Sequence, residues 1–279
     1  MSDCHLNIII PIWRGETLLH RALESLLGQR PSDAWQPSMT HVVAVVNDGR
    51  SASLSAAEAF RDRMRAAGFQ YEVITSPPGR GIALRAAEER LSSAAILYLD
   101  QDAALSPGAL DRLACEICRT RAAVFATFQL RHTRSPSALV RAFLHCIAAL
   151  RYFTASPVTT GAYAVSEAGR GRWTEAPPGV GDDKYVRLRF HPAERRLIRN
   201  ESYEVVSPST YAELLAARIR YAETNQAIAT IANAPDARRS AGTARHLANP
   251  ANWPGAAVAL FTLTVAAAAA KARRACRHA

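Results

Sequence analysis

The sequence predicts an α/β fold in which a Rossmann-like, mostly parallel sheet is flanked by helices and followed by a helical C-terminal extension. Two observations lead to this class. Short apolar runs alternate with segments of helical periodicity from Leu6 to Leu130, which is the pattern of parallel strands joined by crossover helices. From Pro208 onward the alternation stops and helical patterns dominate. The chain is therefore expected to contain one sheet-based domain and one helical appendage.

The predicted elements of the first half follow from their apolar patterns. Residues 6–13 form a short apolar run that indicates a buried strand. Residues 16–29 repeat apolar side chains at helical spacing, and residues 30–40, with two prolines, form a loop. The alternation then continues with strands predicted at 41–46, 70–75, 95–99 and 122–130, and with helices that begin at Ser53, Ile82 and Pro107.

The second half is less regular. An amphipathic pattern predicts a helix over 137–153, and small residues around Gly161 predict a strand over 159–165. A Pro-Gly loop leads into a helix over 179–190, a brief strand follows at 203–206, and a long helix spans 208–231.

Right-handed crossovers place every strand-to-helix loop at one edge of a parallel sheet, where ligands of such sheets bind. The residues predicted at that edge are Trp13, Arg14, Asn47, Asp48, Pro78 to Gly81, Asp100 and Asp102. Acids, an amide and a glycine turn therefore converge on one rim.

The amino-acid composition limits the classes of ligand that the protein is expected to bind. The 34 Lys and Arg residues exceed the 24 Asp and Glu residues, which gives a net charge of +10 and favours phosphorylated ligands, acidic lipid headgroups or nucleic acid. We expect no nucleic acid, because the basic residues are dispersed and lack an interleaved aromatic motif. Five scattered cysteines predict reduced thiols in a cytoplasmic setting, and the amino terminus lacks the pattern of a secretory signal.

Asp100 and Asp102 stand two positions apart where an apolar strand ends. Close carboxylates repel each other unless a cation lies between them, and their oxygen atoms suit Mg²⁺ or Mn²⁺ completed by phosphate oxygens. A solvated turn or a helix-cap acid is the alternative for this pair taken alone.

Six segments resemble family 2 glycosyltransferases of the GT-A fold in order and spacing, over residues 5–190. They are NIIIPIWRGETLLHRALESLLGQ, VVAVVNDGR, PPGRGIALRAA, ILYLDQDAALSPGAL, VTTGAYAVS and GVGDDKYVRLRF. The resemblance implies an inverting, nucleotide-diphospho-sugar-dependent enzyme, assisted by a divalent metal, Mn²⁺ or Mg²⁺.

The resemblance also implies donor-binding residues. Pro11 and Trp13 correspond to the base pocket, and either Asn47 or Asp48 meets the base, since Asn47 and Arg50 depart from the family pattern. The resemblance places Arg80 and Arg85 near the diphosphate, although a basic helix face is the alternative for both arginines. Asp102, with Asp100, corresponds to the metal motif.

The resemblance implies that Gly161 and Ala162 belong to the strand on the acceptor side of the site. It also implies that Asp183, beside Asp182, is the general base. An N-terminal helix cap is the compatible alternative for this acidic pair. Arg218 and Arg220 correspond to arginines that approach the phosphates, with an exposed basic face as the alternative.

The C-terminal tail predicts a membrane-associated helix. Trp253 introduces an uncharged run of about 16 residues, short of the roughly 20 that span a bilayer. A basic cluster follows at Lys271, Arg273, Arg274 and Arg277. A surface-bound or shallow anchor, a spanning helix and a soluble packing helix all stay open for residues 253–270.

Together these features predict a glycosyltransferase domain over 1–207 and a helical extension over 208–279. We expect a nucleotide-diphosphate sugar donor, a glycan or lipid-linked acceptor, and a cytoplasmic, peripheral location at the inner face of the membrane. The alternative is a non-catalytic nucleotide-sugar-binding protein on a degenerate transferase scaffold. A nucleotidyltransferase is disfavoured, since no Lys follows the first strand in a Gly-rich signature.

Overall fold

The computed structural model describes residues 5–118, 120–148, 157, 160–174, 181–231 and 253–278. The strands are β1 (Leu6–Ile12), β2 (Thr40–Val46), β3 (Gln70–Thr75), β4 (Ala95–Leu99), β5 (Ala103–Leu105), β6 (Phe125–His132), β7 (Ala162–Val165) and β8 (Arg195–Val205). The α-helices are α1 (Leu19–Leu27), α2 (Ser51–Glu58), α3 (Arg61–Ala66), α4 (Arg80–Glu88), α5 (Ala109–Leu113), α6 (Ala138–Ala148), α7 (Glu167–Arg170), α8 (Asp182–Leu188), α9 (Tyr211–Ile231) and α10 (Trp253–His278).

The strands form one eight-stranded sheet in the order β3-β2-β1-β4-β7-β6-β8-β5. β1 is parallel to both of its neighbours, β2 and β4, and β3 is parallel to β2. β7 is antiparallel to β4 and β6, and β5 is antiparallel to β8. The parallel half brings the carboxyl ends of β1, β2 and β4 to one edge, and the predicted fold class is confirmed.

β1 is the centre of the parallel half, and all seven of its residues are buried. Helix α1 covers the sheet with a stripe of apolar side chains at helical spacing: Leu19, Ala22, Leu23 and Leu26. Burial of such side chains is the main force that holds a helix against a sheet. The amphipathic pattern read from the sequence therefore marks the buried face of this helix.

Two strands differ from their predicted forms. β8 runs over eleven residues and is longer than the strand predicted at 203–206. Only Ile198, Tyr203 and Val205 of this strand are buried, and its many charged residues obscure the alternation of apolar and polar side chains that would predict a strand. β5 has only three residues and was not predicted, since its sequence, Ala-Ala-Leu, has no strand signal of its own. The predicted extension of the 137–153 helix to Phe153, the strand start at Thr159 and the loop at Gly179 lie outside the described residues.

The chain divides into two compact units. Met1–Arg131, Pro157–Glu175 and Arg189–Val205 form the first unit, which holds the sheet. His132–Ser156, Ala176–Leu188 and Val206–Ala279 form the second, which is helical. The predicted boundary after residue 207 stays a prediction.

The second unit has its own apolar core, contributed by α6, α9 and α10. Its buried members are Val140, Phe143, Leu144, Cys146, Ile147, Leu214 and Ala259. Within α10, the segment Trp253–Cys276 is long and apolar enough to cross a membrane by length and composition.

One cysteine departs from the expectation of reduced thiols. Cys115, Cys146 and Cys276 are free, but Cys118 is in a disulfide whose partner lies outside the described residues. The Cys118 Sγ lies 3.7 Å from the carbonyl oxygen of His5, so the fold brings the end of the π-helical turn at Ala114–Cys118 beside the start of β1. Sequence spacing alone could not show this proximity, and the expectation was wrong for Cys118.

Candidate functional site

The loops that follow β1 and β4 are joined by two reciprocal hydrogen bonds. The Trp13 amide donates to Oε1 of Gln101 at 2.9 Å, and Nε2 of Gln101 donates to the Trp13 carbonyl at 2.6 Å. Because Gln101 lies between Asp100 and Asp102, this clamp holds the acidic loop next to the end of β1. Pro11 is buried inside β1, whereas the Trp13 side chain is 50% exposed at the same edge.

The carboxylate of Asp48 is engaged by the protein itself. Its Oδ2 accepts hydrogen bonds from the Arg14 amide at 2.6 Å and the Ser53 hydroxyl at 2.7 Å, and its Oδ1 accepts from the Arg50 amide at 3.0 Å. Partial burial acts to raise the pKa of Asp48, but these hydrogen bonds outweigh it and hold the pKa below its ordinary value. Asp48 therefore ties the loops after β1 and β2 together.

Arg50 has a structural partner in this loop. Its Nη1 lies 2.5 Å from Oε1 of Glu16. The Ser53 oxygen accepts from the Gly15 amide at 3.0 Å and lies 3.0 Å from Oε2 of Glu16. The departure from the family pattern at Arg50 is thus accommodated by an ion pair that crosses between the two loops.

Asn47 differs from Asp48 in its environment. Its amide donates to the Ile12 carbonyl at 3.1 Å, and its side chain is buried. The side-chain Oδ1 has no hydrogen-bond partner in the part of the chain that the structure describes. Since buried acceptors are normally satisfied, this atom is suited to accept a hydrogen bond from a ligand.

An ion pair joins the start of α4 to the end of β4. Nη1 of Arg80, the first residue of α4, lies 2.6 Å from Oδ1 of Asp100. Arg80 follows Gly79, whose φ of 134° favours glycine. The Asp100 amide donates to the Gly161 carbonyl at 2.7 Å, which fixes the acidic loop against the segment that precedes β7.

Asp102 is the most perturbed acid of this edge. Burial, reinforced by the charge of Asp100, raises the pKa of Asp102 to about 6. Two carboxylates close enough for one to raise the proton affinity of the other also favour a cation between them, and their hard oxygen atoms fit Mg²⁺ or Mn²⁺. Among the described residues no group of three or more His, Cys, Asp or Glu side chains is arranged to hold a metal. A cation here would thus need oxygen ligands beyond these two acids, as a bound diphosphate offers.

Gly161 is required by close packing as well as by its backbone. Its φ is 93°, and a Cβ at this position would lie 2.6 Å from Cγ2 of Val205 and 3.1 Å from Cε2 of Tyr203. The hydroxyl of Tyr203 donates to the Thr160 carbonyl at 2.5 Å. The next residue, Ala162, is buried within β7.

Two further arginines of this unit have ion-pair partners. Arg85 is exposed on α4, where its Nε lies 3.7 Å from Oε1 of Glu89. Arg21, on α1, was not predicted, yet its charge lowers the proton affinity of Asp102 while its Nη2 lies 2.8 Å from Oε2 of Glu204. A basic residue within an amphipathic helix gives no sequence signal for such proximity.

Asp182 and Asp183 belong to the second unit. They open α8, where the partial positive charge of the helix N-terminus favours acids, and Asp182 is buried. Nζ of Lys184 donates to Oδ1 of Asn225 at 2.7 Å, which ties α8 to α9. The convergence of Asp183 with the acids of the first unit stays a prediction.

Arg218 is close to two aromatic rings of the second unit. Its guanidinium carbon is 4.9 Å from the ring centre of Phe143 and 5.1 Å from that of Tyr221. Burial lowers the pKa of Arg218, and its Nε has no hydrogen-bond partner within the described residues. Burial and the Arg218 charge lower the pKa of His132 to about 4, so this imidazole is neutral at pH 7. Arg220, two residues along α9, is exposed.

Comparisons with known proteins give one family match. The family model described as glycosyl transferase family 2 matches residues 7–163. A search of curated proteins gives no match.

Solved structures resemble the chain at low identity. The mannosyltransferase PcManGT from Pyrobaculum calidifontis, in complex with GDP-Man and Mn²⁺, aligns with a TM-score of 0.60 and 20% identity, over 98% of this chain and 79% of that one. S. aureus TarS 1-349 in complex with UDP-GlcNAc aligns with a TM-score of 0.58 and 15% identity, over 88% and 70% of the two chains. A second TarS structure aligns with a TM-score of 0.54 and 14% identity, over 88% of this chain, which spans only 42% of that longer one. At these identities the likeness shows the fold, which is GT-A.

Proposed function

Because the chain belongs to glycosyltransferase family 2, whose model matches more than half of its residues, we propose that it is a metal-assisted inverting enzyme. It moves a sugar from a nucleotide-diphosphate sugar to a glycan or lipid-linked acceptor. The observation that supports this most is the meeting of the Trp13, Asp48, Arg80 and Asp100 loops at one edge of the parallel sheet.

The nucleoside end of the donor is proposed to lie against Pro11 and Trp13. A half-exposed indole offers a flat apolar surface to a base or ribose. Asn47 is proposed to contact the base, because its buried Oδ1 has no partner within the described residues. Asp48 is proposed to hold the pocket in shape, because its oxygens already accept three hydrogen bonds.

The diphosphate is proposed to lie near Arg80, Asp100 and Asp102. Arg80 contributes a guanidinium that can exchange its bond to Asp100 for charge-assisted bonds to phosphate. Asp102, with Asp100, would hold a Mn²⁺ or Mg²⁺ ion, which when bound offsets negative charge on the departing diphosphate. Arg85 stays a predicted donor contact, although its ion pair with Glu89 faces solvent.

The acceptor side is proposed to consist of Gly161, Asp182 and Asp183. The Asp183 carboxylate takes the proton of the acceptor hydroxyl while that oxygen forms a bond to the anomeric carbon. The bond from the anomeric carbon to the phosphate oxygen breaks on the opposite face, so configuration inverts and the nucleoside diphosphate leaves. Asp182 would raise the proton affinity of this base through like charge.

Arg218 and Arg220 are proposed as phosphate contacts from α9. The guanidinium of Arg218 lies near the Phe143 ring, and its buried Nε has no hydrogen-bond partner within the described residues, which supports an anionic ligand. Exposure of Arg220 fits either a phosphate contact or a solvated face.

The enzyme is proposed to work on the cytoplasmic side, at the inner face of a membrane. The apolar length of Trp253–Cys276 and the basic residues at its end support this location. A membrane position would suit a lipid-linked acceptor.

A panel of UDP, GDP and dTDP sugars with and without Mn²⁺ tests the proposal. One nucleotide class should raise the melting temperature of the full chain, since saturation at 100 times Kd stabilises by about 2.7 kcal/mol. The same donor should release nucleoside diphosphate in a Mn²⁺-dependent way. Binding with no release would favour the non-catalytic alternative, which Asn47 in place of an acid would fit, and no binding by any donor would contradict both.

A further inference from the structure

Helix α10 has its apolar side chains arranged in reverse of an ordinary surface helix. Small residues at helical spacing face the protein and are buried: Ala259, Thr262, Ala266 and Ala270. Large apolar residues face outward, with exposed fractions of 59% for Trp253, 70% for Leu260, 63% for Phe261 and 47% for Leu263. We call these four residues the outward face. A helix that only packs onto a soluble core turns its large residues inward, so this arrangement indicates an apolar partner outside.

The small-residue side holds α10 closely against its own unit. A Cβ on Gly255 would lie 2.8 Å from the Ala142 carbonyl oxygen of α6, so only glycine permits this approach. The hydroxyls of Thr262 and Tyr211 are 2.9 Å apart. These contacts fix which side of α10 points away from the protein.

The end of α10 is basic and has no compensating acid of its own. The sequence contains no Asp or Glu after Asp236, and Lys271, Arg273 and Arg274 are exposed at the last turns of the helix. The apolar outward face is thus followed along one helix by a cationic end. This order matches the surface of a bilayer whose headgroups are anionic.

We propose that the outward face and the basic end of α10 dock the enzyme in the plane of an anionic membrane surface, without crossing it. The indole of Trp253 and the side chains of Leu260, Phe261 and Leu263 enter the boundary between headgroups and acyl chains, and Lys271 and Arg274 contact acidic headgroups. This inference rests on the membrane location proposed above and specifies how the chain is held there, but it does not depend on the proposed reaction.

The neighbour of α10 argues against a spanning helix. Thr262 meets Tyr211, and Nη1 of Arg273 lies 3.5 Å from Oε1 of Glu223, so α10 runs parallel to α9 over this stretch. The part of α9 between these contacts carries Glu213, Arg218, Arg220 and Glu223. A bilayer-crossing α10 would take these charged groups into hydrocarbon, which is costly.

Flotation of the full chain with liposomes tests the proposal. Vesicles of phosphatidylcholine alone are compared with vesicles that contain about one third phosphatidylglycerol. We expect binding to the anionic vesicles, weakened by high salt because headgroup attraction is screened. Leu260→Ser with Phe261→Ser should weaken this binding about tenfold or more, since both lose apolar contact with the bilayer. The matched control is Ile82→Ser, which is 48% exposed in the other unit and should bind as the wild type does.

Two double variants that remove the same charge distinguish a local effect of the basic end from an effect of the net charge of the protein. Lys271→Gln with Arg274→Gln should weaken binding to anionic vesicles by about tenfold or more. Arg65→Gln with Arg196→Gln removes the same charge from exposed positions of the first unit and should have little effect. Equal losses in the two pairs would contradict a local docking surface.

Three further outcomes would overturn the proposal. The first is absence of binding to anionic vesicles, and the second is wild-type binding by the Leu260/Phe261 variant. The third is resistance of the membrane-bound chain to extraction at alkaline pH, which would indicate a spanning helix. Light scattering after size exclusion tests a second copy of the chain as the partner of the outward face. If the wild type is a dimer, the Leu260/Phe261 variant is a monomer and neither binds vesicles, the outward face is a dimer interface. Circular dichroism of each variant verifies that it is folded.

Discussion

Arg80 and Asp100 form an ion pair of 2.6 Å that connects the start of α4 to the acidic loop after β4. This contact distinguishes Arg80 from Arg85, which lies on the same helix but pairs with the exposed Glu89. The two arginines were indistinguishable in the sequence, where both stand near the same Gly-rich turn. We therefore expect Arg80 to be the stronger diphosphate contact of the two.

We expect Arg80→Gln to raise the KM for the donor by about tenfold or more, because a charge-assisted hydrogen bond contributes roughly 1.5–3 kcal/mol. Arg85→Gln serves as the matched variant and should change the KM by less than about threefold. Steady-state release of nucleoside diphosphate measures both. Equal effects of the two substitutions would contradict the ranking.

Asp48→Asn should lower the thermal stability of the first unit. The substitution places an amide where the Arg14 and Arg50 amides and the Ser53 hydroxyl donate, and loss of such bonds costs about 1–3 kcal/mol. Because the pKa of Asp48 is lowered in the fold, its contribution is complete above its ordinary pKa and is lost as pH falls through the folded value. The difference in melting temperature at pH 7 measures it, with Asp62→Asn, at an exposed acid of α3, as the control. A wild-type melting temperature for Asp48→Asn would show that the three hydrogen bonds to Asp48 contribute nothing to stability.

Much of this edge could be predicted from the sequence, because the βα alternation fixes which loops meet. The alternation of strands and helices predicts Trp13, Asp48 and Asp100 at this edge. The different roles of neighbouring residues could not be predicted. Nothing in the sequence Asn47–Asp48 shows which of the two side chains is hydrogen-bonded within the protein. The clamp made by Gln101 was also missed, since a lone glutamine between two acids has no pattern of its own.

Parts of the fold away from this edge are harder to predict from the sequence, for physical reasons. β8 is half-exposed and charged, so its length was hidden, and the proximity of Cys118 to the start of β1 depends on the whole sheet. The reversed face of α10 was also hidden, because an alanine-rich sequence does not show which of its sides is covered.

His132 should make the second unit less stable as pH falls from about 6.5 towards 4. Its pKa is lowered to about 4 in the fold, so protons bind the unfolded chain first and stability declines across this window. The change from 6.5 to about 4 sets an upper bound of roughly 3.5 kcal/mol, at about 1.4 kcal/mol for each pKa unit. Melting temperatures between pH 7.5 and 4.5 measure the slope, which His132→Gln should reduce. His145→Gln, at an exposed position of α6, is the control, and an unchanged slope in His132→Gln would contradict the assignment.

Asp183→Asn should keep nucleotide affinity within about twofold while it lowers donor turnover by about 10²-fold or more, the range of a lost general base. Hydrolysis of the donor by water reports turnover before the acceptor is identified. Lys184→Gln, at the next residue of α8, breaks the bond to Asn225 and should keep turnover within a few-fold. A loss of nucleotide binding in Asp183→Asn, with turnover of the bound donor unchanged, would contradict its role as base.

The donor site itself is tested most directly by calorimetric titration of nucleoside diphosphate in the presence and absence of Mn²⁺. The wild-type chain should bind the nucleotide more tightly with Mn²⁺, and Asp102→Asn should remove that gain, lowering affinity about tenfold or more, while Asp62→Asn retains it. Equal, Mn²⁺-enhanced affinity in Asp102→Asn and in the wild type would contradict a donor site at the carboxyl edge of β4.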